Sequence, residues 1–253
     1  MIGCDCPVCR SSDPRNRRTR PSVLLATEQG NILVDTTPEL RIQLLRERIG
    51  RVHAVLYTHA HADHIHGFDD LRVFPVYLGA PLPIYCDERV ARRLKESFSY
   101  AFAEEAAYLG VGAIPQVHIV MIRPDEPFEV RGLRVQPVPL LHGRLPILGF
   151  RFGKIAYCTD VSEIPQASMD LLRDLEVLVL DALRHRPHPT HFSIQQALEI
   201  IERLAPRRAY LTHMCHHVDH AQLERELPPH VRPAYDGLRL DVADLVEWTV
   251  ITP

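Results

Sequence analysis

Long apolar runs are missing from this 253-residue chain; none approaches the roughly 20 residues that a membrane helix needs. Net charge is nearly missing as well. The 29 Lys and Arg against 32 Asp and Glu leave −3, so no global basic field recruits nucleic acid. Cysteine is scarce, at six residues, and three of them are crowded into one short run. That usage fits a reducing cytoplasm better than a disulfide scaffold. Met1 to Cys9 lacks the basic and apolar regions of a signal peptide. Low-complexity segments, internal repeats and a Gly, Ser or Pro linker are absent too, and neither a P-loop nor a Ser-His-Asp arrangement is evident. With 46% hydrophobic residues, the chain can bury one sizeable core, and a single α/β domain over residues 1–253 is expected.

What is present is chemistry at strand ends. Thr58-His59-Ala60-His61-Ala62-Asp63-His64 follows Ala54-Val55-Leu56-Tyr57, which reads as a buried strand. Three imidazoles and a carboxylate within one turn repel any added proton. A divalent cation in place of those protons resolves the conflict, and neutral imidazole and carboxylate suit zinc, manganese and iron. Further along, His142 follows the strand-like run Val135 to Leu141. Asp160 follows Ile155 to Thr159, and His213 follows Ala209 to Thr212. Each alone reads as a surface histidine or a turn aspartate. Together they can converge on one sheet edge and complete a two-metal site.

The run His59 to His64 fits the HxHxDH motif without a gap, and the chain resembles the metallo-β-lactamase superfamily of metallohydrolases over nearly its whole length. The resemblance implies a four-layer αββα sandwich with metals at the sheet edges. It implies that His59, His61 and His142 hold one cation, that Asp63, His64 and His213 hold the other, and that Asp160 bridges them. It also implies that Asp35, at the end of the strand Asn31 to Val34, buttresses a metal ligand, although a turn or cap role suits the residue equally.

Cys4-Asp5-Cys6-Pro7-Val8-Cys9 is a C-x-C-x-x-C run. Three thiols this close suit a soft metal, and a tetrahedral structural zinc needs a fourth ligand. His216 is the candidate, with Cys215 and His217 as rivals. The combination resembles the subfamily containing the phosphodiesterase of the bacterial carbon–phosphorus lyase pathway. Members of that subfamily usually begin with a strand and a glycine-rich loop, whereas here Met1-Ile2-Gly3 leads straight into Cys4.

Between Asp181 and the helix expected at Ile194 to Leu204, capped by Ser193, lies a loop with His185, His188 and His191. His191 stands just before the helix start, where anions are favoured. By the resemblance it approaches the substrate phosphate; His185 and His188 are expected to be solvated, as is the basic stretch Ser11 to Arg20. A helix over Glu88 to Phe102 and another over Met169 to Leu175 are also expected.

Two divalent cations about 3.5–4 Å apart lower the pKa of a water held between them and stabilise charge on phosphoryl oxygens. The expected function is hydrolysis of a small phosphodiester, cyclic ones included, by a hydroxide on two manganese or zinc ions, with a separate structural zinc. Asp63, Asp160 and His191 are the catalytic candidates. The expected partner is the small-molecule substrate; nucleic acid and membrane are not expected, and a homodimer is left open. Alternatives sharing the ligand set are a thioester or lactone hydrolase, a ribonuclease Z-like nuclease and a quinone-cofactor biosynthesis protein. A non-catalytic metal-binding protein would have been expected to lose at least one of the seven ligands.

Overall fold

The first hairpin forms where the pattern places it. Val23–Thr27 (β1) pairs antiparallel with Gly30–Val34 (β2), register Val23↔Val34. Gly30 takes φ 128, and a Cβ there would sit 2.7 Å from the His53 ring, so only glycine makes this turn. The structure, a computed structural model, describes residues 1–103, 110–242 and 245–250. Its contacts divide the chain into two compact units.

The unit formed by residues 20–134 and 239–251 carries a mixed seven-stranded sheet. Parallel to β2 run Ala54–Leu56 (β3), Leu82–Cys86 (β4) and Val117–Met121 (β5), in that order. Phe128–Val130 (β6) follows in the chain. Arg239–Val242 (β13) and Leu245–Val250 (β14) extend the other side antiparallel, with β14 beside β1. Leu40–Arg46 (α1), Ala62–Ile65 (α2), Phe74–Leu78 (α3), Glu88–Ser97 (α4) and Ser99–Phe102 (α5) are its helices. Leu24, Leu33, Val55 and Ile84 from the strands pack with Leu40, Phe68, Phe74 and Leu94. Each such side chain taken from water contributes about 1.5–3 kcal/mol. The single helix expected over 88–102 is two. Phe98, at φ −123 and ψ 42, interrupts it, and its ring packs on Phe68 at 4.8 Å. Tertiary packing overrides local propensity there.

The other unit holds residues 1–19 and 135–238. Leu133–His142 (β7) and Leu145–Phe152 (β8) form a hairpin, and Ile155–Cys158 (β9) continues it antiparallel. Val177–Asp181 (β10), Arg208–Thr212 (β11) and Val231–Pro233 (β12) then run parallel to β9. Every residue of β10 is buried, as a central parallel strand covered on both faces requires. Gln166–Leu171 (α6), Ile194–Leu204 (α7) and His220–Glu226 (α8) are its helices. The helix expected over 169–175 starts earlier and ends at Leu171, before the left-handed turn at Asp174 (φ 57). At α7 the expected cap is met: Ser193 accepts from the Gln196 amide, and the Gln196 side chain accepts from the Ser193 amide.

The basic stretch near the N-terminus departs from expectation. Arg15 pairs with Asp13 and Glu224, Asn16 donates to Asp219, and Arg18 donates to the carbonyl of Val218. Thr19 donates its hydroxyl to Asp236 at 2.7 Å. The segment is thus clamped against the region around α8 rather than solvated, and burial lowers the pKa of Arg18.

Candidate metal centres

Parallel strands β2 and β3 end in register, Val34 opposite Leu56. The Asp35 amide donates to the Leu56 carbonyl, which turns the chain at φ 65 and brings the Asp35 carboxylate beside Thr58. That carboxylate is fully buried. It accepts from the Thr58 amide (2.8 Å), the Thr58 hydroxyl (2.7 Å) and His64 Nδ1 (2.8 Å). Burial pushes the carboxyl up, against the pull of His64 and Thr58.

One carboxylate thereby fixes two imidazoles. His64 must carry its proton on Nδ1, because a carboxylate accepts. The Thr58 hydroxyl has spent its own proton on Asp35, so it accepts from His59 Nδ1 at 3.0 Å. Both rings are left with a lone pair on Nε2, the form in which imidazole binds a metal. The His59 ring lies 4.6 Å from His61 and 4.2 Å from His64, centroid to centroid. Asp63 Oδ2 lies 3.6 Å from His64 Nε2. The loop closes tightly: the Gly67 amide donates to the Thr36 carbonyl, and a Cβ on Gly67 would fall 2.1 Å from the Thr37 oxygen.

The second unit offers its own set at the C-terminal edge of β9, β10 and β11. Cys158 stands opposite Leu180, and Asp181 opposite Thr212, so Asp160, Asp181 and His213 leave the sheet together. Asp160 and His213 both adopt left-handed backbone, φ 56 and 60, which is uncommon outside glycine and accumulates at functional sites. His213 Nε2 lies 3.3 Å from Asp160 Oδ1. Two ligands on one tetrahedral cation, at about 2.0–2.2 Å each, stand about 3.3–3.6 Å apart. The pair fits a shared metal. Asp160 Oδ1 also accepts from the Thr159 hydroxyl at 2.7 Å.

The loop after β10 is folded back by the Phe192 amide, which donates to both the Val161 carbonyl and Asp181 Oδ2. His191 comes to rest with Nδ1 at 3.3 Å from both Asp181 oxygens and its ring stacked on His213 at 4.7 Å. Asp160, Asp181, His191 and His213 each place a ligand atom within 4.8 Å of the others. His142, last residue of β7, donates Nδ1–H to the Thr190 carbonyl at 2.6 Å, and its ring lies 4.6 Å from that of His191. Thr58 and Thr190 have no sequence signal: one works through a hydroxyl, the other through a carbonyl that every residue carries.

Cys4, Cys6, Cys9 and His216 also form a set within 4.8 Å. The three sulfurs stand 3.4, 3.7 and 3.7 Å from His216 Nδ1. A tetrahedral zinc with Zn–S of about 2.3 Å and Zn–N of about 2.0–2.1 Å separates S and N by about 3.6 Å. The Cys9 amide, followed by His216, pulls the Cys6 thiol down to about 6, toward the thiolate a metal requires. Of the rivals, Cys215 and His217 approach each other, at 3.7 Å.

Residues 30–214 match the family model described as the beta-lactamase superfamily domain. The chain belongs to this family. Its two mixed sheets with flanking helices are those of the metallo-β-lactamase α/β sandwich fold. A crystal structure of a diphosphatase from the PhnP family is 44% identical, with TM-score 0.88, over 99% of this chain and 92% of the other. Zinc-bound PqqB from Methylobacterium extorquens shares the fold at 17% identity and TM-score 0.72, over 95% of each chain. An octanoyltransferase of Porphyromonas gingivalis (strain ATCC BAA-308 / W83) is 38% identical over 240 residues. That match takes in 94% of this chain and 48% of the relative, so the chain spans about half the length of the curated relative it matches. Within the superfamily, the chain closely resembles that PhnP-family member over nearly its full length. No helix among its described residues is long and apolar enough to cross a membrane.

Proposed function

We propose that the chain hydrolyses a small phosphodiester, with ribose cyclic phosphates in its range. The likeness to a PhnP-family diphosphatase over 99% of this chain carries the reading. In this account His59, His61 and His142 hold one divalent cation, Asp63, His64 and His213 the other, and Asp160 bridges them. Manganese or zinc suits that donor set, and a structural zinc suits the three thiols and His216. When bound, the cation pair supplies Lewis acidity and an activated water. Thiols kept for a metal fit a reducing, cytoplasmic setting.

The protein's own part is orientation and proton delivery. Asp35 and Thr58 hold two imidazoles in the metal-binding tautomer. Asp181 accepts Nδ1–H of His191, so the His191 Nε2 is the nitrogen left to contact a phosphoryl oxygen or protonate the leaving oxygen. The diphosphatase neighbour favours a second substrate class, a diphosphate linkage, in which phosphate rather than an alkoxide leaves.

Two variants probe these roles. Asp35→Asn keeps a side chain tolerant of the left-handed backbone but presents an amide N–H to His64. Active-site metal affinity should fall roughly 10–100-fold, as for other partners of metal-ligating histidines; chelator competition measures it, and unchanged affinity removes Asp35 from this role. His191→Ala should lower diester turnover by roughly 10²–10⁴-fold, the usual scale for a lost acid–base group, with little loss of metal. The reading as a whole is checked with bis(p-nitrophenyl) phosphate, a ribose cyclic phosphate, a diphosphate and a thioester on the manganese-loaded protein. Cleavage of the thioester alone would overturn it.

A further inference from the structure

Thr190 holds two imidazoles in opposite tautomers. Its carbonyl accepts from His142, which puts that ring's proton on Nδ1. Its amide and hydroxyl face Nδ1 of His188, at 3.4 and 3.2 Å. A backbone N–H can only donate, so Nδ1 of His188 is an acceptor and the proton of the neutral ring sits on Nε2. Burial, followed by His191, Arg184 and His213, holds this imidazole below its usual pKa and so keeps it neutral. His188 is half-buried rather than solvated as its loop position implied, and its ring centroid lies 5.2 Å from that of His191.

We propose that His188 is a second phosphate-binding imidazole of the site, a fixed Nε2–H donor to a non-bridging oxygen of the substrate beside His191. The proposal rests on the phosphoester reading above. Rings 5.2 Å apart can donate to two oxygens of one phosphoryl group through hydrogen bonds of about 2.8 Å each. The two histidines then divide the work. His191, its Nδ1 held by the Asp181 carboxylate, is placed with Nε2 toward the leaving oxygen. His188, backed by a donor, is held as a neutral hydrogen-bond donor and binds. The chemistry matched is a substrate with at least two free phosphoryl oxygens. A thioester or lactone carbonyl offers one oxygen where the phosphoryl group offers two.

Manganese-loaded wild-type, His188→Ala and His188→Gln proteins decide the matter. The Gln amide can place an N–H near the position of the imidazole Nε2. For bis(p-nitrophenyl) phosphate, His188→Ala should raise KM by roughly tenfold or more, the scale of one hydrogen bond to a charged group, with kcat within about twofold, the pattern of uniform binding. His188→Gln should recover most of that loss. Calorimetric binding of inorganic phosphate should weaken in parallel, and it reads the proposal even if no diester is cleaved, an outcome that counts against the functional reading instead. Long-range ¹⁵N–¹H spectra of the wild type should show His188 protonated on Nε2. Unchanged KM and phosphate affinity in His188→Ala, absent phosphate binding in the wild type, or a proton on Nδ1 would each overturn the proposal.

Discussion

Asp160→Asn should reduce diester turnover by roughly 10²–10³-fold or more, the range for removing a single electrostatic stabiliser of a transition state, and should weaken active-site metal binding at the same time. The substitution is almost isosteric. Asn tolerates the left-handed backbone that Asp160 adopts at φ 56, and its carbonyl oxygen can still accept from Thr159. What disappears is the negative charge, which a ligand shared by two cations needs. His213, 3.3 Å from the Asp160 carboxylate, would keep its place but lose the charge beside it. Steady-state kinetics with metal analysis on the same sample check this. Near-normal turnover and metal content would remove Asp160 from the centre.

Cys6→Ser should have its largest effect elsewhere. Structural zinc contributes about 10–16 kcal/mol of apparent binding free energy in small zinc-folded peptides, and here the set of three thiols and His216 ties residues 4–9 to the far end of the chain. The variant should lose one zinc per molecule, melt at lower temperature and exchange its amides rapidly over the first ten or so residues. Arg15, Asn16 and Arg18 anchor the following segment independently, through Glu224, Asp219 and Val218. The damage should therefore stop there, and the folded protein should keep much of its turnover per active-site metal pair. If turnover vanished while fold and active-site metals remained, the cysteine set would have a part in the chemistry.

The candidate metal ligands were legible in the sequence where they leave contiguous marks. His59 to His64 is one run, Cys4 to Cys9 another, and the first stands where local pattern already places a strand end. Ser193 as the cap of α7 was equally readable, since capping is local. Contacts distant in sequence were not. Nothing near Arg18 announces that the carbonyl of Val218 awaits it, and nothing in 88–102 announces that Phe98 packs on Phe68 and breaks the helix. The strands β12, β13 and β14 escaped the same way, because the places of β12 beside β11, β14 beside β1 and β13 beside β14 are set by register across the chain. The tautomers form a third class. That Thr58 relays Asp35 to His59, or that Thr190 fixes His142 and His188 in opposite senses, depends on which atom faces which.

The central claim, a metal-dependent phosphoester hydrolase, is tested most directly by titrating manganese into protein whose active-site metals have been removed with a chelator and following bis(p-nitrophenyl) phosphate cleavage. The account predicts no turnover before metal is added, a rise that saturates at two equivalents per chain, and a zinc at the cysteine set counted separately by elemental analysis. Full turnover in the stripped protein, or two bound cations with no cleavage of diester or diphosphate, would contradict it.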